Sequence, residues 1–273
     1  MHIFRDAMPD RFYQMGMAEQ VMIGAAAGLA EEGFIPFAST YSVFASRRAY
    51  DFICLDIAER NLNVNIVAAL PGLTTGYGPS HQATEDIAIM RGMPNLTIVD
   101  PCDSVDIEQA VPQLAASQGA TYLRLLRGAV PTVLDECDYQ FELGKAALLR
   151  GGNDVLLISS GLMTERALQA ATELEADNVD VAVLHVPTIK PLDEAKILEE
   201  IGKDRLILTL ENHSVVGGLF ESVASLLIRE GVGRKIHPIG LPDEFLLAGA
   251  LPTLYDMYKV STPKIIDKIR CEL

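Results

Sequence analysis

Val155-Leu156-Leu157-Ile158-Ser159-Ser160-Gly161-Leu162 is an apolar run that stops at two serines and a glycine, and a helical pattern then runs to Glu175. A run without polar alternation predicts a strand buried on both faces, as inside a parallel sheet covered by helices. Parallel neighbours need a crossover connection, which the following helix supplies. Outward from this point the alternation recurs. Strands are expected at 179–186, 205–210 and 236–239, and helices at 192–201, 219–230 and 262–270. A charged stretch at 135–144 separates this set from an earlier one, with helices at 16–31, 84–92 and 105–117 and strands at 64–70, 97–99 and 120–126. The fold class expected is α/β, with two doubly wound domains at 1–137 and 138–273. Ligands of such sheets bind beyond the carboxyl ends of the strands, which directs attention to a few loops.

The length of 273 residues suits two domains of ordinary size. A net charge of −15 argues against nucleic acid or an anionic membrane as partner. No apolar run has the length of a membrane span, and the first ten residues lack the apolar core of a signal peptide, so a cytoplasmic location is expected. Cys54, Cys102, Cys137 and Cys271 are far apart, without metal-type pairing, and read as reduced thiols.

Three places could carry chemistry. Glu19 stands at a helix start within the largely apolar Met15-Gly16-Met17-Ala18-Glu19-Gln20. It reads either as a first-turn glutamate favouring the helix dipole or as a buried carboxyl group able to hold a proton. The helix it opens contains Gly24-Ala25-Ala26-Ala27-Gly28 and is expected to be buried on several sides. Tyr41 and Phe44, three apart, are expected on one face of a helical turn, either as core or as a platform for a flat heterocycle, with Arg47 and Arg48 on the next turn. The loop Gly76-Tyr77-Gly78-Pro79-Ser80-His81-Gln82 has glycines that allow close approach of a ligand, and His81 either exchanges protons near neutral pH or caps the next helix. Arg91 and Arg127 are candidate phosphate clamps or surface ion-pair partners. Gly217-Gly218 lacks the spacing of a phosphate loop and reads as a close helix–strand connection.

These pieces in this order resemble the transketolase family. The carrying stretches are Pro9-Asp10-Arg11-Phe12, Met17-Ala18-Glu19-Gln20, residues 37–44, Gly78-Pro79-Ser80-His81-Gln82 and Val99-Asp100-Pro101-Cys102-Asp103. The resemblance covers almost the whole chain: the first domain is similar to the family's thiamine-diphosphate-binding pyrimidine domain and the second to its C-terminal domain. It implies that Glu19 hydrogen-bonds N1′ of the aminopyrimidine, a bond that promotes proton loss from C2 of the thiazolium. It implies that Tyr41 and Phe44 flank the pyrimidine, that Arg47 adds a ligand contact, that His81 contacts substrate hydroxyls and that Arg127 holds a sugar phosphate. Tyr77 stands where relatives carry an aspartate that reads a sugar hydroxyl, and Ala69 where many carry a histidine or another polar residue. Both departures put the usual sugar specificity in doubt. The chain also begins later than such a domain usually does, so its first strand is expected to be missing or supplied differently.

The family binds Mg²⁺ and the diphosphate through Gly-Asp-Gly in a separate domain, and no Gly-Asp-Gly occurs here. The resemblance therefore implies one subunit of a split transketolase. It would work with thiamine diphosphate and Mg²⁺ on sugar phosphates, beside a diphosphate-binding N-terminal subunit, with self-association expected. A 2-oxo acid dehydrogenase E1 β-type subunit, a deoxyxylulose-phosphate-synthase-type subunit and a non-catalytic partner protein remain open as alternatives.

Overall fold

The apolar runs form two five-stranded sheets in the computed structural model, which describes residues 2–128 and 130–273; Met1 and Ala129 lie outside the described residues. The strands are β1 (Phe37–Tyr41), β2 (Asn65–Ala69), β3 (Leu96–Val99), β4 (Ala120–Leu125), β5 (Ala147–Arg150), β6 (Val155–Ser159), β7 (Val181–His185), β8 (Thr188–Lys190), β9 (Leu206–Ser214) and β10 (His237–Leu241). The first sheet has the order β1-β2-β4-β3-β8 and the second β10-β9-β6-β7-β5. In each sheet four strands run parallel, and the fifth, β8 or β5, pairs antiparallel at an edge. The expected doubly wound α/β fold is thus present in both halves, with antiparallel pairing confined to those two edges. β8 lies beyond residue 138 yet completes the first sheet, so the second half of the chain reaches back into the first. Its three residues sit between Pro187 and Pro191, too short and too punctuated to announce a strand.

β6 shows how the halves share a core. Leu156 and Ile158 are fully buried in a cluster that also holds Ile66 and Ile98 of the first sheet, whereas Val155 and Leu157 face the cluster around Met163 and Ile265. Alternate residues of one strand thus serve two cores, as a period of two requires.

A buried charge network also joins the halves. Arg124 on β4 is 1% exposed. It donates to Asp86 through Nε and Nη2 (3.0 and 3.1 Å), pairs with Asp100 at 2.9 Å, and donates to the carbonyl of Asn212 at 3.1 Å. The Ser160 hydroxyl donates to Asp100 at 2.9 Å. Burial raises the Asp100 carboxyl, with Arg124 opposing the shift. Gly161, at φ +53°, lies so close to Asp100 that a Cβ would fall 2.6 Å from its carboxylate, so the turn needs glycine twice over.

Register places the features that matter on one edge. Tyr41 pairs with Ala69, and Ala69 with Leu125. The carboxyl ends of β1, β2 and β4 therefore lie side by side, and the chain leaves them into the helix Ser42–Arg48, the loop after Ala69 and the segment carrying Arg127. Among the described residues no helix is long and apolar enough to cross a membrane.

Candidate functional site

Glu19 is the first residue of the helix Glu19–Glu31. The helix begins three residues later than the composition suggests, after Gly16 at φ +72°. Its buried residues are Glu19, Ile23, Ala26 and Ala27, spaced three and four apart on one face. Burial on several sides is therefore not observed: Val21 and Gly28 are exposed, and a Cβ on Gly28 would meet nothing within 4 Å. Glu19 itself is only 7% exposed, and the guanidinium of Arg48 lies 3.4 Å from both of its carboxylate oxygens.

Tyr41 and Phe44 do not share a helical turn. Tyr41 closes β1, and Phe44 lies in the first turn of the helix Ser42–Arg48. The strand-to-helix corner stacks their rings at 5.9 Å between centres. The two β-branched or aromatic residues Thr40 and Tyr41 suit a strand, which sequence spacing alone did not reveal. His81, half-buried, meets both rings edge-on at 6.2 and 5.5 Å, and Tyr77 meets His81 at 5.7 Å. Ser80 bonds Nδ1 of His81 at 2.9 Å. Tyr77 is 70% exposed. Arg127 donates to the Tyr41 hydroxyl at 3.0 Å. One cluster thus brings together Tyr41, Phe44, Tyr77, His81 and Arg127, and Arg48 ties Glu19 to it, with its Cζ 4.0 Å above the centre of the Phe44 ring.

Arg47 takes a different place from its neighbour. It donates to Glu85 (2.5 Å), the carbonyl of Pro79 (3.0 Å) and the carbonyl of Gln82 (3.4 Å), fastening the His81 loop to the helix Ser42–Arg48. The other side of that loop rests on residues near 248. Gln82 donates to the carbonyl of Leu247, Gly249 N–H donates to the carbonyl of Gly76, and a Cβ on Gly76 would strike Gly249. Arg91 is not at the site; it donates to the carbonyls of Gly217 and Gly218 and spans the two halves of the chain. Gly217-Gly218 is a close connection as expected, with Glu211 accepting from the backbone N–H groups of Leu219 and Phe220 at 2.6 and 2.9 Å.

The arrangement can hold a flat, basic ring. Glu19 offers a buried carboxylate as acceptor, Phe44 an aromatic face, and His81 and Arg127 polar groups at the rim. The planar guanidinium of Arg48 stands in for such a ring: it lies over Phe44 and points its Nη1 group at Glu19. The donor set therefore fits an aminopyrimidine. Among the described residues no group of three His, Cys, Asp or Glu side chains is placed to hold a metal ion. Arg48 is the site residue to which sequence reasoning gave no role; a pair of adjacent arginines gives no sign of which one reaches Glu19.

The family model described as transketolase, pyrimidine binding domain matches residues 1–132, and that described as transketolase, C-terminal domain matches residues 144–265. A transketolase family protein of Sinorhizobium fredii, described as uncharacterized, is 65% identical over 99% of this chain and 79% of its own length. A 6-deoxy-6-sulfo-D-fructose transketolase subunit of a Clostridium species is 39% identical over 96% of this chain and 81% of its own. A solved structure titled as a split-gene transketolase in an inactive β4 tetramer superposes with a TM-score of 0.90 at 36% identity, covering 98% of this chain and 86% of that one.

Proposed function

The chain belongs to the transketolase family, and we propose that it is the subunit of a split transketolase that seats the aminopyrimidine of thiamine diphosphate. The observation that carries this reading is the grouping of Glu19, Tyr41, Phe44 and His81 at one sheet edge, with Glu19 and Phe44 both in contact with one planar cation. When bound, thiamine diphosphate supplies the nucleophilic carbon and the electron sink for cleaving a ketose beside its carbonyl. Glu19 would accept or share the proton at N1′ of the aminopyrimidine and so set the basicity of its amino nitrogen. Phe44 and Tyr41 would fix the plane of the ring and exclude water from one face. His81 would orient substrate hydroxyls from the loop that Arg47 holds, and Arg127 would meet a sugar phosphate. The Mg²⁺ and the diphosphate would be held by the partner subunit, since this chain lacks Gly-Asp-Gly. The description of a solved relative as an inactive β4 tetramer supports partner dependence.

The reaction proposed is transfer of a two-carbon ketol unit between sugar phosphates. The test reconstitutes the chain with a diphosphate-binding subunit, thiamine diphosphate and Mg²⁺, screens ketose donors, and follows hydrogen–deuterium exchange at C2 of the cofactor. Glu19→Gln is expected to slow exchange on the order of 10²-fold or more while leaving the unfolding midpoint near that of the wild type. Unchanged exchange would show that Glu19 is not the activating group.

A further inference from the structure

Arg48 closes the seat between Glu19 and Phe44. Its guanidinium lies 4.0 Å above the Phe44 ring and 3.4 Å from each oxygen of the Glu19 carboxylate. A planar cation that stacks on an aromatic face while donating N–H to a carboxylate uses every recognition element the seat offers. We infer that the Glu19–Phe44 seat is a binding site for planar amidinium- and guanidinium-like groups, and that Arg48 is its resident intramolecular ligand, which must swing out before an external ring enters.

Three features support a displaceable occupant rather than a fixed strut. The side chain of Arg48 is 51% exposed, whereas that of Glu19 is 9% exposed, so the cation can leave while the acceptor stays in place. The 3.4 Å separations are long for a charge-assisted pair, whose N–O distances lie near ~2.7–2.9 Å when the bond is strong. Arg47, one residue away, already fastens this helix to the His81 loop, so Arg48 is not needed for that task. A seat filled most of the time by its own side chain shows an outside ligand only the fraction of molecules in which it is open, and the apparent affinity falls by that fraction. The identity of the entering ring as an aminopyrimidine rests on the function proposed above; the seat and its occupant do not.

Benzamidinium is the probe, titrated by calorimetry into the purified full chain as wild type, Arg48→Ala and Arg48→Gln. The site is expected to bind it about tenfold tighter or more in both variants, and the gain is expected to vanish when Glu19→Gln is added to Arg48→Ala. Equal affinity in wild type and both variants, no binding in any of them, or a gain that survives loss of Glu19 would overturn the inference. A second arm measures thiamine diphosphate binding to the reconstituted complex. Tightening by a similar factor in Arg48→Ala supports both readings. A benzamidinium gain with no change for thiamine diphosphate would leave the seat and its occupant established and count against the aminopyrimidine reading.

Discussion

Two single residues give sharp expectations, one for stability and one for substrate choice. Burial pushes the His213 imidazole down to about 4 from an ordinary 6.5. Its Nε2 accepts from the Ala88 N–H at 3.2 Å and its Nδ1 lies 2.7 Å from the Ser214 carbonyl, so the neutral ring carrying its proton on Nδ1 satisfies both bonds. Protonating Nε2 would break the first. Because the folded value lies below the unfolded one, the stability this group contributes is complete above pH 6.5 and is lost as pH falls towards 4. The difference corresponds to about 3 kcal/mol. Urea unfolding at pH 7.5 and pH 4.5 should therefore show a smaller acid loss for His213→Gln than for the wild type, by roughly that amount; identical losses would refute the assignment. Tyr77 is the second. A phenol reads a sugar differently from a carboxylate, and the ring is exposed beside His81. In the reconstituted enzyme, Tyr77→Asp is expected to shift kcat/KM for xylulose 5-phosphate relative to a modified ketose phosphate by about tenfold, near 1.4 kcal/mol. A shift under about twofold, with xylulose 5-phosphate already the best donor, would show that Tyr77 does not set specificity.

At the scale of elements, the helix Glu19–Glu31 divides its labour. Ala26 and Ala27 pack into the chain's own core, and Val21, Gly24 and Gly28 line a face with little bulk. If a partner packs on that face, Gly28→Trp should weaken assembly by ~1–3 kcal/mol while leaving the monomer folded; sedimentation velocity with the partner present reads the change, and unaltered assembly would place the interface elsewhere. The elements also show what could be read from sequence alone. β6, a run of five residues with every member buried, was legible because a short unbroken apolar run ending at Ser160-Gly161 suits a doubly covered strand. β1 was not, because Phe37–Tyr41 alternates aromatic, small and polar residues at an edge where one neighbour suffices. The stacking of Tyr41 on Phe44 could be anticipated from their closeness in sequence, but not the corner that produces it. The buried network around Arg124 joins residues far apart in sequence, and no local pattern announces which carboxylates an arginine will meet.

Two five-stranded sheets share the core cluster that holds Ile66, Ile98, Leu156 and Ile158. The carboxyl edge of the first sheet presents an acceptor, two aromatic faces, a histidine and an arginine, which together suit a flat basic ring and a sugar phosphate. The chain carries no Gly-Asp-Gly for the charged end of the cofactor. The direct measurement is calorimetric titration of thiamine diphosphate with Mg²⁺ into the purified chain, alone and after mixing with a diphosphate-binding subunit. The account predicts little heat for the chain alone and saturable binding once the partner is present. Submicromolar binding by the chain alone would contradict it.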